Sequence, residues 1–194
     1  MADSLDPIRS LTEAVHPLPE EAWQAFAGIW QPFEAARKEL LTTAGEKERY
    51  LYVVLDGVQR VYYADDQGRE ATLVFTYPPS FGGVLDALMQ QTPSRYYFET
   101  LTPSRFLRAP AEKLFAAMAQ HPDLELLVRK GITGALSGVL ERLAEVQSFS
   151  AEDRFRSLLK RSPHILQLVP HKYLANYLGM DATNFSKLIN RVKI

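Results

Sequence analysis

The stretch HKYLANYLGMDATNFSKLIN, residues 171–190, has the pattern of two short helices joined by a sharp turn. Its apolar residues fall where two helices that cross at a steep angle share a small core: Leu174, Leu178, Met180, Phe185 and Leu188. Ala175 stands where the helices approach closely, and Gly179 stands at the turn, because glycine enters positive φ without steric cost. The pattern predicts a helix-turn-helix; an αα-hairpin that only packs is the alternative.

The second of these helices divides into an apolar face and a polar face, with Asp181 expected as its N-cap. The apolar face repeats at helical spacing and is expected to contact the protein: Phe185, Leu188, Ile189 and Val192. The opposite face is polar: Thr183, Lys187, Asn190 and, at its edge, Arg191.

Residues at the start of such a second helix reach base edges in the major groove of DNA. We expect Lys187 to donate to guanine, Asn190 to pair with adenine, and Thr183 to contact a thymine methyl or a phosphate. His171, Lys172 and Arg191 are placed for backbone phosphates, which position a protein without specifying sequence. For each single residue, simple exposure to solvent is the alternative.

Basic residues are concentrated at the end of the chain, although the net charge of the sequence is only −1. Residues 151–194 contain eight basic against three acidic residues: Arg154, Arg156, Lys160, Arg161, Lys172, Lys187, Arg191 and Lys193 against Glu152, Asp153 and Asp181. The remaining 14 basic and 20 acidic residues precede them. A basic segment on an acidic body is typical of a module that binds phosphates. A basic tail that is only solvated is the alternative.

From about residue 31 to residue 110 the sequence has the character of strands. Val, Tyr, Phe and Thr dominate YLYVVLDGVQRVYYADDQGREATLVFTY (residues 50–77), with turn signals at residues 56–57 and 65–68. RYYFETL (residues 95–101) and SRFLRAP (residues 104–110) continue the pattern across a Thr-Pro break. Short strands with frequent turns and no helix between them predict an antiparallel sandwich or roll.

Helical patterns flank this region. PEEAWQAFAGIW (residues 19–30) begins with Pro and two acidic residues, which suit a helix N-terminus. After the strands, AEKLFAAMAQ predicts a short helix, and a long helix follows from about residue 123 to residue 149. AEDRFRSLLKRS (residues 151–162) predicts a further helix, with Ser150 as its N-cap.

The long helix carries an apolar seam whose members step by four, three, four and three: Ile132, Leu136, Val139, Leu143 and Val146. This spacing is typical of a two-stranded coiled coil. Gly131, Gly134 and Gly138 would let another backbone approach. The seam predicts a homodimer, and packing of the stripe on its own domain is the alternative.

Several enzyme classes lack their residues. There is no cysteine, so disulfides, thiolate nucleophiles and Cys-ligated metals are excluded. The four histidines lie outside the strand-rich region, so a cupin-type metal triad cannot be built: His16, His121, His164 and His171. Neither a Gly-x-Ser-x-Gly elbow nor a Walker A or Gly-x-Gly-x-x-Gly segment occurs. We predict no catalytic residue, no metal site and no enzyme; a carboxylate site around Asp86 and Glu99 stays open.

The location of the protein follows from what its sequence lacks. No apolar run approaches the ~20 residues that a membrane span needs. The N-terminus, MADSLDPIRS, lacks the basic and apolar parts of a signal peptide. We therefore expect a cytoplasmic protein without a membrane partner.

The order of these elements resembles that of the cyclic AMP receptor protein/Fnr superfamily of bacterial transcription regulators, over essentially the full length. EDRFRSLL (residues 152–159) and VPHKYLANYLGMDATNFSKLINRV (residues 169–192) resemble the family's C-terminal segment. PSRYYFETLTPSRFL (residues 93–107) resembles the strand pair that closes its ligand pocket.

This resemblance implies an α+β fold: an antiparallel β-roll (a double-stranded β-helix or jelly roll), a long dimerisation helix and a helix-turn-helix domain. The corresponding parts are residues 1–122, 123–149 and 150–194. It also implies a homodimer, joined along the long helix, that binds double-stranded DNA at a two-fold related site. RNA polymerase is a further partner that the resemblance allows.

The sequence departs from the family at the ligand pocket. Members that bind cyclic AMP carry Gly-Glu, for the ribose, before an Arg-Ser or Arg-Thr pair whose Arg binds the cyclic phosphate. Here Gly82 is followed by Gly83, and Arg95 is followed by Tyr96, while Asp86 is displaced by three residues from the missing Glu. We expect a pocket formed by these five residues that does not bind cyclic AMP tightly.

Three alternatives stay open for this pocket. It could take another small anionic effector, or no ligand and no cofactor at all. Gly82 and Gly83 could form a plain turn, and Arg95 could be a surface cation beside Glu99.

The second departure concerns DNA recognition. The given sequence ends at Ile194, directly after the recognition helix, so the expected domain lacks the family's β-wing. The family's base-reading Arg and Glu are replaced by Ala182 and Thr183, and its second Arg by Lys187. We expect a transcription regulator with weaker or altered specificity, in which a ligand shifts the long helix and thereby the spacing of two recognition helices ~34 Å apart. A sensor or scaffold protein of the same fold that has lost DNA binding is the alternative.

Overall fold

The computed structural model of the chain describes residues 5–191, so Val192 of the predicted apolar face and Lys193 of the basic segment lie outside the described residues. Within this range the strands fall between residues 31 and 110, as predicted: β1 Gln31–Ala35, β2 Leu40–Thr42, β3 Tyr50–Asp56, β4 Gln59–Ala64, β5 Glu70–Thr76, β6 Ser80–Gly82, β7 Tyr97–Thr100 and β8 Ser104–Pro110.

The helices precede, interrupt and follow the strands: α1 Asp6–Val15, α2 Glu20–Ala27, α3 Leu85–Gln90, α4 Ala111–Gln120, α5 Pro122–Ser148, α6 Ala151–Arg161, α7 Ile165–Leu168, α8 His171–Tyr177 and α9 Ala182–Arg191.

The strands form two four-stranded antiparallel sheets, with the orders β1-β8-β3-β6 and β2-β7-β4-β5. The hairpin turns lie at the predicted positions, where Gly57 and Gly68 have φ of +86° and +76°. The predicted antiparallel roll is therefore confirmed.

The location of strand β3 explains why its sequence is apolar at consecutive positions. Leu51 and Val53 belong to a core that lies between the first sheet and the helices α1, α2, α4 and α5. Tyr52 and Val54 point the other way, into a second core between the two sheets. Because both faces of the strand are buried, the usual alternation of apolar and polar residues is lost.

Three details of the prediction were wrong. Helix α3 lies between β6 and β7, although no helix was expected among the strands; its six residues are too few to show a helical period. Helix α2 ends at Ala27, with Gly28 as its C-cap, so Trp30 is buried without being helical. The strands β7 and β8 were expected as a pair, but they lie in different sheets.

The long helix α5 is confirmed within one residue at each end. Leu124 and Leu127 near its start are buried against the roll. Its second half projects a stripe of exposed apolar side chains: Leu136 (55% exposed), Val139 (52%), Leu140 (56%), Leu143 (50%) and Val146 (42%). Packing of this stripe on its own domain is therefore wrong for the described chain. None of the helices in residues 5–191 is long and apolar enough to cross a membrane.

The junction of α5 and α6 is held by a buried carboxylate. Ser150 caps α6 as predicted, its Oγ accepting from Asp153 N at 3.2 Å. Glu145, in the last turns of α5, accepts hydrogen bonds from both terminal guanidinium nitrogens of Arg161 and from the hydroxyl of Ser157. The hydrogen bond from Arg161 lowers the pKa of Glu145.

Replacing Glu145 by Gln should lower the free energy of unfolding by about 1–3 kcal/mol at pH 7, because Arg161 loses its charged acceptor. A carboxyl whose pKa is lowered in the folded state stabilises it above the unfolded pKa and loses this effect as pH falls. The difference between wild type and Glu145→Gln should therefore shrink as the pH falls below 4.5. Urea denaturation at several pH values measures it, with the exposed Glu13→Gln as the control. An equal loss at pH 7 and at pH 3 would contradict the role of the charge.

Candidate functional site

Helices α8 and α9 form the predicted helix-turn-helix. Gly179 takes φ of +68° at the turn, and the Met180 N–H donates to the Ala175 carbonyl at 3.0 Å. Leu174 and Phe185 are fully buried between the helices, and the ring of Phe155 from α6 packs edge-on against Phe185 with 5.6 Å between centroids. The shared core is thus confirmed.

Asp181 caps the second helix of the motif, as predicted. Its Oδ1 accepts from the backbone N–H of Asn184 at 2.7 Å, and its Oδ2 accepts from the Asn184 side chain at 2.5 Å. A side-chain acceptor at this position satisfies a donor that the helix itself cannot. This cap therefore fixes the residue at which α9 begins.

The residues predicted to meet base edges all lie at the surface. Thr183, Lys187 and Asn190 are exposed, while Phe185 and Leu188 on the other side of the same helix are buried. One face of α9 thus anchors it, and the other face presents hydroxyl, ammonium and amide groups.

The residues predicted to meet phosphates are also exposed, but they differ in their contacts. The His171 ring packs edge-on against Phe185, and the Lys172 ammonium lies 4.6 Å from the centroid of the Tyr173 ring. Arg191 forms an ion pair with Glu152, which also pairs with Arg156. The hydrogen bond from Arg191 lowers the pKa of Glu152, so part of the charge of Arg191 is already compensated.

An open groove of about 460 Å³ separates the start of α8 from the roll. Arg37 of the β1–β2 turn, Thr102, Pro103 and His171 of α8 are among the residues that line it. Arg37 is exposed, so the roll adds a cation beside the helix-turn-helix.

The face of α8 that is turned away from α9 docks on the second sheet. Strand β5 lies at the edge of its sheet, and the Asn176 amide bonds its backbone as a neighbouring strand would. The Asn176 Oδ1 accepts from Thr72 N at 2.6 Å, and its Nδ2 donates to the Glu70 carbonyl at 2.7 Å. The rings of Tyr177 and Phe75 pack with 5.2 Å between centroids.

A charged network centred on the buried Arg60 and Glu99 lies under this contact. Arg60, which is 2% exposed, donates to Glu99 at 2.9 Å and to Glu70 at 2.7 Å. Its guanidinium lies between two rings, 3.8 Å from the centroid of Tyr62 and 4.3 Å from that of Tyr173. We call these five residues, together with Lys38, the clamp network.

Lys38 completes the clamp network. It donates to Glu99 at 3.1 Å and to the hydroxyl of Tyr173. Burial lowers the pKa of Arg60, but the hydrogen bonds to Glu70 and Glu99 outweigh burial and raise it. Burial raises the pKa of Tyr173, whereas Lys38 and Lys172 lower it further than burial raises it. Burial, followed by the charge of Glu99, raises the pKa of Tyr62 to about 12.

Sequence reasoning missed the clamp network. In the described residues the ion pairs of Glu99 are with Arg60 and Lys38, and the exposed Arg95 is not among its partners. One signal was present. Arg60 and Glu99 are charged residues at buried positions within strands, and a buried charge needs a partner.

The five residues of the predicted ligand pocket lie in two environments. Gly82 is buried, and a Cβ there would lie 3.2 Å from the Phe98 ring; Gly83 has φ of +115°. Asp86 and Arg95 are exposed, and Tyr96 is half-buried. Their role in binding stays a prediction.

A buried carboxylate that sequence reasoning did not single out lies beside Gly83. Glu48 is 3% exposed, and its Oε2 would be 3.5 Å from a Cβ on Gly83. Burial raises its pKa, and the hydrogen bonds from Thr42, Val84, Tyr50 and Arg49 oppose that shift. A cavity of about 590 Å³ opens at this edge of the roll, with Glu48, Tyr50 and Gln91 on its wall. In the described residues no three His, Asp or Glu side chains are arranged to hold a metal ion.

Comparison with known proteins agrees with this geometry. Residues 32–121, from β1 to the end of α4, match the family model of the cyclic nucleotide-binding domain. The global nitrogen regulator of Synechocystis sp. is 29% identical over 169 residues, covering 81% of this chain and 75% of that protein.

Solved structures share the fold. FixK2 from Bradyrhizobium japonicum has a TM-score of 0.77 at 16% identity, covering 84% of each chain. A transcriptional regulator of the Crp/Fnr family from Eubacterium rectale has a TM-score of 0.70 at 18% identity, covering 89% of this chain and 82% of that one.

Replacing Glu99 by Gln should lower the free energy of unfolding by about 3 kcal/mol, because it removes one partner of a buried ion pair and leaves the Arg60 charge underpaired. Hydrogen exchange of the α8 amides should become faster, since the network holds that helix on the sheet. Urea denaturation and exchange by mass spectrometry measure the two effects. The exposed Glu34→Gln on β1 is the matched control, and an unchanged exchange rate in α8 would show that the network does not hold the helix.

Proposed function

We propose that this chain is a transcription regulator of the Crp/Fnr type that binds double-stranded DNA through α8 and α9. Its similarity to the cyclic nucleotide-binding domain over residues 32–121, and to a global nitrogen regulator over 81% of its length, supports the proposal. The observation that carries the proposal is the exposed polar ridge of Thr183, Lys187 and Asn190 on a helix whose other face is buried. DNA binding in turn places the protein in the bacterial cytoplasm, with RNA polymerase as a further partner.

The proposed roles follow the chemistry of the exposed groups. Lys187 donates to guanine and Asn190 pairs with adenine, because these side chains match the acceptor and donor patterns of those bases. Thr183 contacts a thymine methyl or a phosphate. His171 and Lys172 bind backbone phosphates, while Arg191 must exchange its ion pair with Glu152 for a phosphate and therefore contributes less.

We propose that the functional unit is a homodimer joined along α5. The exposed stripe on the second half of this helix has the spacing of a coiled-coil seam. A Cβ added to Gly131, Gly134 or Gly138 would meet nothing within 4 Å, so the described chain leaves room for a second backbone there. A two-fold dimer presents two recognition helices to successive major grooves.

The roll is proposed as a sensor that does not hold cyclic AMP in the way of the family's cyclic AMP-binding members. The ribose-binding Glu is absent, and a side chain at Gly83 would have a Cβ only 3.3 Å from the Tyr50 carbonyl oxygen. Its φ of +115° also disfavours any residue other than glycine.

One observation favours the second candidate, a sensor or scaffold protein that does not bind DNA. Helix α8 is docked on the roll by Asn176 and the clamp network, which restricts the helix-turn-helix. The recognition face of α9 points away from this contact and stays exposed, so we favour DNA binding.

Replacing Lys187 by Ala should weaken DNA binding by about 1–3 kcal/mol, chiefly on sites with guanine at the contacted position. Mobility shifts or fluorescence anisotropy with genomic fragments measure affinity while salt is raised. The exposed Lys113→Ala on α4 is the control and should bind like wild type. Wild-type affinity without salt dependence would refute phosphate contacts, and the absence of any binding would favour the scaffold alternative.

Replacing Leu143 by Asp should convert the protein from a dimer to a monomer. The seam of the dimer would otherwise bury two carboxylates without partners, one from each copy. Sedimentation velocity measures the oligomeric state. Leu73→Asp, at an apolar side chain on β5 that is 40% exposed, is the control and should remain a dimer. A wild-type monomer, or a dimer that survives Leu143→Asp, would contradict the seam.

A further inference from the structure

We propose that Glu48 is a built-in ligand of the β-roll: its carboxylate occupies the place of an effector's anionic group and thereby determines which effectors the pocket accepts. The inference rests on the proposed function, because it concerns the pocket predicted around Gly82 and Gly83.

Four donors converge on this one carboxylate. Its Oε2 accepts from the Thr42 hydroxyl at 2.5 Å and from Val84 N at 3.0 Å. Its Oε1 accepts from the backbone N–H groups of Arg49 at 3.0 Å and Tyr50 at 3.3 Å. Backbone N–H groups and a hydroxyl arranged in this way bind an anion of carboxylate or phosphate type.

The donors come from separate segments of the roll. Thr42 ends β2, Arg49 and Tyr50 lie at the start of β3, and Val84 follows β6. Val84 is also the residue after Gly83, so the carboxylate of Glu48 lies against the same backbone that the sequence pattern assigns to the ligand pocket. The position is therefore defined by the fold rather than by one flexible loop.

Because Glu48 is buried, its hydrogen bonds contribute to the stability of the roll. A carboxylate that is 97% shielded from water is costly unless its oxygens are hydrogen-bonded, and here all the contacts are to donors. An apolar side chain in its place would leave these donors without an acceptor. The site is thus an anion site that the chain itself fills.

The consequence is selection against anionic effectors. A cyclic phosphate or a carboxylate would meet a negative charge and would find its donors already bonded. Arg95, the predicted phosphate partner, is exposed and forms no ion pair with Glu48 in the described structure. The pocket therefore accepts a neutral or cationic effector, or holds its form without one.

The test is chemical rescue of Glu48→Ala in the full-length chain. This variant leaves the donors around a gap of the size of a carboxylate, so its melting temperature should fall by about 4 °C or more. Sodium acetate should restore several degrees of that loss, whereas sodium chloride at equal ionic strength should not. Wild type should not respond to acetate.

Leu114→Ala is the matched control, because Leu114 is fully buried and its removal leaves an apolar cavity without donors. It should lose stability without rescue by acetate. If acetate fails to stabilise Glu48→Ala more than chloride does, Glu48 only fastens the β2–β3 loop and the proposal is wrong.

Calorimetric titration with inorganic phosphate and with cyclic AMP adds a test that does not depend on the variant's folding. Wild type should show no measurable binding of either anion, and Glu48→Ala should bind at least one of them measurably. Tight binding of either anion by wild type would overturn the proposal. These measurements use no DNA, so failure of the proposed DNA binding would be seen separately.

Discussion

The guanidinium of Arg60 is buried within strand β4, and it stays charged there because arginine is not deprotonated in proteins. Glu99 and Glu70 compensate the charge, and the Tyr173 ring of α8 covers it. If α8 moved off the sheet, water would reach the pair but the ring contact, the Lys38 hydrogen bond and both bonds of Asn176 would be lost. The orientation of the helix-turn-helix relative to the roll therefore depends on this charged network.

Helix α8 therefore makes two sets of contacts, one with the roll and one with α9. One side contacts the clamp network, while its other side packs on α9 through Leu174 and Phe185. A displacement of β5 or of the β1–β2 turn would change the contacts of Asn176 or Lys38, and α9 would move with α8 because the two helices share one core. These contacts form a contiguous route from the roll to the exposed face of α9, along which the sensor that we propose would act on DNA binding.

Periodicity and caps determined how much could be predicted. The long helix and the helix-turn-helix were predictable because Ser150, Asp181 and Gly179 mark their ends and their apolar residues recur regularly. Helix α3 and the three-residue strands are too short to carry a period. The clamp network joins residues that are up to 135 positions apart, and no local pattern reveals such contacts. The two glycines of the pocket were noticed, but Glu48 beside them looked like an ordinary loop acid.

Two buried charges, Arg60 on β4 and Glu48 in the β2–β3 loop, are thus both compensated within the chain, Arg60 by its acidic partners and Glu48 by its four donors. The seam of α5 differs, because its leucines and valines remain exposed in the described part of the chain. Exposed apolar surface of this extent is stabilised when a second copy covers it. In the homodimer that we propose, the second copy supplies the second recognition helix. DNA binding by such a dimer would depend on the concentration of the protein, because the dimer forms by association of two chains.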